Sequence, residues 1–95
     1  MRRGTTSTGF EYEYDETRLD DMRFVDVLAV VVDKEAPEFD KILGVSRLLT
    51  MLLGAETKKA LYEHIGKDYD GRVPRAALEK ALEEIMGGKD AEKNS

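Results

Sequence analysis

Pro37-Glu38-Phe39-Asp40-Lys41-Ile42-Leu43-Gly44-Val45-Ser46-Arg47-Leu48-Leu49-Thr50-Met51-Leu52-Leu53, read as a helix, decides the fold of this 95-residue chain. At about 100° per residue, Phe39, Ile42, Leu43, Val45, Leu48, Leu49, Leu52 and Leu53 cover roughly two-thirds of the circumference. An ordinary surface helix carries a one-sided apolar stripe, whereas a helix apolar nearly all round has to be covered nearly all round. Pro37 suits a first helical position, where its missing N–H would be unpaired anyway, and Gly54 suits a C-terminal cap. The remaining segments are therefore expected to wrap this one.

Toward the C-terminus, Ala55 to Ile65 reads as a helix anchored by Leu61, Tyr62 and Ile65, with Gly66 ending it. Lys67 to Arg72 is a turn signalled by Asp70-Gly71. Pro74 opens a last helix to about Met86, with Leu78, Ala81, Leu82 and Ile85 as its stripe and Arg75–Glu79 and Lys80–Glu84 as exposed i,i+4 pairs. Gly87-Gly88 stops it, and residues 88–95 read as a disordered tail.

Toward the N-terminus, Leu19 to Asp33 reads as a helix with Leu19, Met22, Val25, Leu28, Val31 and Val32 inward, although valine-rich 24–32 also suits a strand. Phe10-Glu11-Tyr12-Glu13-Tyr14 alternates and is a strand, with Phe10, Tyr12 and Tyr14 on one side. A strand needs a neighbour for its backbone groups. The candidates are 24–32 or another chain, because residues 1–9 are small and polar and read as a flexible arm. The expected fold is mainly α: a bundle of about four short helices preceded by an N-terminal β-strand, or α+β if 24–32 is a strand. It occupies residues 10–87 as a single domain.

Composition narrows the function classes. A single small domain buries a modest share of its surface and gains from partners. The chain has no cysteine and one histidine, His64, so disulfides, thiolate metal sites and multi-histidine sites are excluded. Formal net charge is −5, and Glu11, Glu13, Asp15, Glu16, Asp20 and Asp21 crowd one stretch that repels phosphate backbones. The reading is therefore no nucleic acid, no membrane and no cofactor. Val27–Val32, the longest apolar run, is too short to span a bilayer, and Met1–Thr6 is no signal peptide.

Apparent motifs fail on their chemistry. Asp68, Asp70, Gly71 and Val73 match inner positions of a helix-loop-helix calcium loop, but Gly66 and Ala77 stand where its first Asp and last bidentate Glu belong. His64 beside Glu63 has no nucleophile or pocket, and a place near a helix C-terminus accounts for it. Ser46 is expected to pack or to bond back to the backbone. The carboxylate pairs Asp20-Asp21 and Glu83-Glu84 read as a helix start and a solvated face rather than an acid–base pair. The chain is not expected to be an enzyme.

Three segments in order carry a resemblance. They are Phe10-Glu11-Tyr12-Glu13-Tyr14-Asp15-Glu16 with Leu19-Asp20-Asp21-Met22; Leu52-Leu53-Gly54 with Lys58-Lys59-Ala60-Leu61-Tyr62-Glu63-His64; and Asp70-Gly71-Arg72-Val73-Pro74 with a helix ending in Glu84-Ile85. Over about residues 8–95 the chain resembles the tail assembly chaperones of siphophages and prophages of gram-positive bacteria. The resemblance implies a helical, self-assembling protein of the bacterial host cytoplasm that binds the helix-rich tape measure protein until the tail tube forms. It also implies a longer frameshifted product that recruits the tail tube protein, and Glu92-Lys93-Asn94 can be encoded by the slippery run GAA-AAA-AAC. A regulatory adaptor of a mobile element and a minor structural tail component are the other readings. The expected protein-interaction surfaces are the strand Phe10, Tyr12 and Tyr14, and the helix positions Phe39, Val45, Leu48, Met51 and Leu52.

Overall fold

The computed structural model describes residues 1–87; the expected tail, 88–95, lies outside them. Among the described residues the protein is mainly helical with an N-terminal two-stranded antiparallel sheet. Strands β1 (Arg2–Thr5) and β2 (Glu11–Tyr14) are followed by a 3-10 turn (Glu16–Asp20), then by α1 (Met22–Val32), α2 (Glu38–Leu53), α3 (Ala55–Gly66) and α4 (Arg75–Ile85). Segment 24–32 is thus helical, and the strand alternative falls.

The centre is α2, as its composition requires. Leu48, Leu49 and Leu52 are fully buried, with Val45 and Leu53 beside them. Phe24, Leu61, Ile65, Leu78, Leu82 and Ile85 from the other three helices close round them, together with Tyr12 and Tyr14. Each such side chain contributes about 1.5–3 kcal/mol by leaving water. Pro37 sits one position before the helix, as its N-cap, and Gly54 both ends α2 and opens α3.

The arm reading of residues 1–9 is corrected. β1 pairs antiparallel with β2, Arg2 opposite Tyr14 and Gly4 opposite Tyr12, so the aromatic strand finds a partner within its own chain, in the supposed arm and not in 24–32. Gly4 is set by packing: a Cβ there would lie 2.6 Å from the hydroxyl oxygen of buried Tyr12. The connecting turn is closed by Thr6 N–H to Phe10 O at 2.8 Å and by Phe10 N–H to Thr6 Oγ1 at 3.1 Å. Across the hairpin Arg3 pairs with Glu13 at 2.7 Å. β2 keeps the expected alternation, with Tyr12 and Tyr14 inward and Glu11 and Glu13 outward.

Two ties fix the hairpin to α4. The Tyr14 hydroxyl donates to Ile85 O at 2.8 Å, satisfying a carbonyl that the helix end leaves open. Ser7 N–H donates to Glu84 Oε1 at 2.8 Å. Glu84 is therefore buried, and the expected exposed Lys80–Glu84 pair gives way to a contact that no local spacing could signal. Arg75–Glu79 does form, at 2.8 Å. The Lys67–Arg72 turn is closed by Gly71 N–H to Gly66 O at 2.8 Å.

Deleting residues 1–9 is expected to destabilise the protein by at least about 2 kcal/mol, since β2 loses its pairing partner and leaves buried polar groups unmet; urea unfolding measures it, and a neutral deletion would restore the arm reading. Tyr14→Phe is expected to cost about 1 kcal/mol in the same assay.

Candidate functional site: the outer face of the first helical hairpin

The site grows from the sequence of α1, Met22-Arg23-Phe24-Val25-Asp26-Val27-Leu28-Ala29-Val30-Val31-Val32, in which Arg23 and Asp26 are the charged residues. The helix starts at Met22 rather than Leu19, because Asp15 and Asp21 cap two successive elements. Asp15 accepts from Thr17 N–H at 3.0 Å to open the 3-10 turn, and Asp21 accepts from Arg23 N–H at 2.9 Å to open α1. The Thr17 hydroxyl, and after it the Thr17 N–H, hold the Asp15 carboxyl below its ordinary pKa. Arg18 reaches across to Met51 O and Leu52 O, at 3.4 and 3.0 Å, at the C-terminal end of α2.

A five-residue connection, 33–37, turns the chain back, and α1 and α2 pack as an antiparallel pair. They approach closely at Gly44, where a Cβ would lie 2.6 Å from Val31 Cγ2. Phe24 is the one fully buried residue of α1; Val27, Leu28 and Val31 pack beside it against the core.

That side of α1 leaves another. Met22, Val25, Ala29 and Val32 recur at three- and four-residue steps, within about 80° of one another on a helix of 3.6 residues per turn. All four are exposed, Met22 at 65% and Val32 at 67%. The expectation that Met22, Val25 and Val32 face inward is corrected: both sides of α1 are apolar, and the core takes the side carrying Phe24. Spacing of i, i+3, i+7, i+10 is the seam that one helix offers to another.

α2 leaves apolar side chains outside as well. Phe39 is 68% exposed in its first turn, and Ile42 and Leu43 are exposed after it. Leu43 shares a groove of about 680 Å³ with Val27, Val30 and Met51, edged by Arg23, Asp26, Asp40 and Arg47. The outer side of the hairpin is thus apolar with charged margins.

Of the residues singled out from sequence, the structure leaves Phe39 free and Met51 and Phe10 half-buried, and it buries Tyr12, Tyr14, Val45, Leu48 and Leu52 in the core. The side chains of those five are taken up by the core of this chain. The broad apolar character of α2 is spent mainly on its own domain. Phe10 lies 5.5 Å from the His64 ring, and His64 Nε2 stands 3.1 Å from Thr8 Oγ1 and 3.2 Å from Thr8 O. His64 therefore holds the hairpin turn, beyond any effect of the helix end. Ser46 Oγ accepts from Lys58 Nζ at 2.7 Å instead of bonding back to the backbone. Sequence reasoning missed Val25, Ala29, Val30 and Leu43 as surface; with so few charged residues in α1, its apolar positions could not all share one side.

At the other end of α2, Arg75 bonds both Glu79 and Glu38, joining α4 to the first turn of α2. Its hydrogen bond, then its charge, lower the Glu38 pKa. Among the described residues no His, Cys, Asp or Glu cluster could hold a metal ion, and no helix is long and apolar enough to cross a membrane.

Val25→Lys and Val32→Lys are expected to change stability by no more than about 0.5 kcal/mol, whereas Leu48→Glu should abolish the cooperative thermal transition by placing a charge in the core. Because the Glu38 pKa is depressed in the fold, the stability it contributes is present above its unfolded pKa and lost as pH falls through the folded value. Stability should therefore decline below about pH 4, less steeply in Glu38→Gln; equal slopes in the two proteins would remove the role given to Arg75. The chain matches no protein-family model, no curated protein and no solved structure.

Proposed function

We propose that this chain is a non-enzymatic, protein-binding assembly factor, a tail assembly chaperone of the siphophage type that its motifs resemble. It acts in the bacterial host cytoplasm. Its client is the tape measure protein, of which it holds an apolar helical segment, and it self-associates as part of that role. The observation that carries the reading is the uncovered apolar side of α1, with Phe39 and Leu43 exposed on α2 as well. A small domain that leaves Met22, Val25, Ala29 and Val32 in water is weakly soluble at that face unless something covers it. Helix-in-groove recognition uses anchors at these spacings.

Sequestration follows from the physics of such a surface. An isolated amphipathic helix exposes its stripe and aggregates with others of its kind. Covering that stripe with α1 keeps the client dispersed without a covalent step. The contact is small enough to be displaced when tube subunits offer the client a larger surface.

A tape measure gene is expected beside this one, and the test is co-expression with its product followed by isolation of the complex. A soluble complex is expected, and Val32→Asp with Phe39→Ser should weaken it at least about tenfold, equivalent to 1.4 kcal/mol, with unchanged circular dichroism. A doubly substituted chain that binds as the wild type does, or a tape measure protein that stays insoluble, would overturn the proposal.

A further inference from the structure

A second groove, of about 830 Å³, is lined largely by α3. Tyr62 and Val73 supply apolar lining, Lys58, Lys59 and Lys67 stand around it, and Glu63 is the acid among the lining residues. Lys58 is held in place: its ammonium donates to Ser46 Oγ at 2.7 Å and to Thr50 Oγ1 at 2.9 Å, 5.5 Å above the Tyr62 ring. Lys59 and Lys67 are exposed, and none of the three is ion-paired with a described carboxylate. An uncompensated cationic groove is out of keeping with a chain of net charge −5.

Its complement lies on the same chain. Glu16, Asp20 and Asp21 are exposed around the 3-10 turn, beside the exposed side chain of Met22. Asp21 is engaged with Arg23 N–H, while the Glu16 and Asp20 carboxylates pair with no described residue. Here an apolar knob is bordered by carboxylates; in the groove an apolar floor is bordered by ammonium groups. Arg18 stands in the turn and Glu63 in the groove, yet each patch keeps an excess of one sign, and apposing the two brings opposite charges together.

We infer that two copies of this chain associate by docking the acidic turn of one, Glu16, Asp20 and Met22, in the lysine-edged α3 groove of the other. The contact joins two different patches, so copies either exchange it reciprocally or propagate it. It is small and charged, which makes the association weak and salt-sensitive. This places the self-association included in the proposed chaperone role, and rests on that reading only to that extent.

Light scattering on the full chain at low and high salt tests it, with Lys59→Glu/Lys67→Glu for the groove and Glu16→Lys/Asp20→Lys for the turn. Wild type is expected to gain mass with concentration at low salt and to lose that gain at high salt. Each reversed variant alone should stay at the 10.7 kDa of one chain. Mixed in equal amounts the two variants should associate again, since each reversed patch then meets its complement. A wild type that remains monomeric, variants that associate like it, or a mixture that stays monomeric would each overturn the inference. Client binding by the groove variant separates the two readings: retained binding with lost association leaves the chaperone reading standing, and intact association with no client binding leaves this one.

Discussion

The burial of α2 by everything else in the chain is the constraint on which this structure depends. Val45, Leu48, Leu49, Leu52 and Leu53 ask for cover on more than one side, and a chain of 95 residues has few elements with which to supply it. α1 takes one flank, α3 and α4 take others, and the tyrosines of β2 close the remainder. Every departure from the simplest helical bundle follows from completing that cover. The hairpin exists because Tyr12 and Tyr14 must be held over the core, and a strand holding them needs a partner for its backbone.

Completing the core this way has a cost at α1. A helix with Met22, Phe24, Val25, Val27, Leu28, Ala29, Val30, Val31 and Val32 in one run is apolar on both sides, yet it has a core to touch on one side only. The close approach at Gly44 draws the Val27 and Val31 side in, and the opposite side is left outside. The surface offered to a partner is therefore what remains after the core has been satisfied. The leucine-rich second half of α2 marks the interior, and the exposed stripe lies one helix earlier, on a helix that is apolar over most of its circumference.

Charge is distributed by the same logic. Glu16 and Asp20 on the 3-10 turn, and Lys59 and Lys67 around the α3 groove, are exposed and form no ion pair with a described residue. Of the ion pairs among the described residues, Arg3–Glu13 and Arg75–Glu38 tie elements together at the surface, and Arg75–Glu79 lies within α4. They are local fastenings of a fold whose free energy comes from apolar burial.

Much of the architecture could be read from the residues alone. Periodicity and the breaks at Pro37, Gly54, Asp70-Gly71 and Pro74 place the helices, because caps and turns depend on a few adjacent residues. Alternation in Glu11–Tyr14 places the strand and its faces for the same reason. What only the tertiary structure decided depends on groups far apart in the chain. The strand's partner is the polar segment Arg2–Thr5, whose composition gives no β signal of its own and whose Gly4 is explained by Tyr12. Glu84 is buried because Ser7 N–H meets it, and His64 is engaged because Thr8 does. Above all, which apolar side of α1 faces water is undetermined by its sequence: periodicity assigns a face by contrast with polar residues, and Arg23 and Asp26, the charged residues of Met22–Val32, mark one side and leave the rest of the circumference apolar.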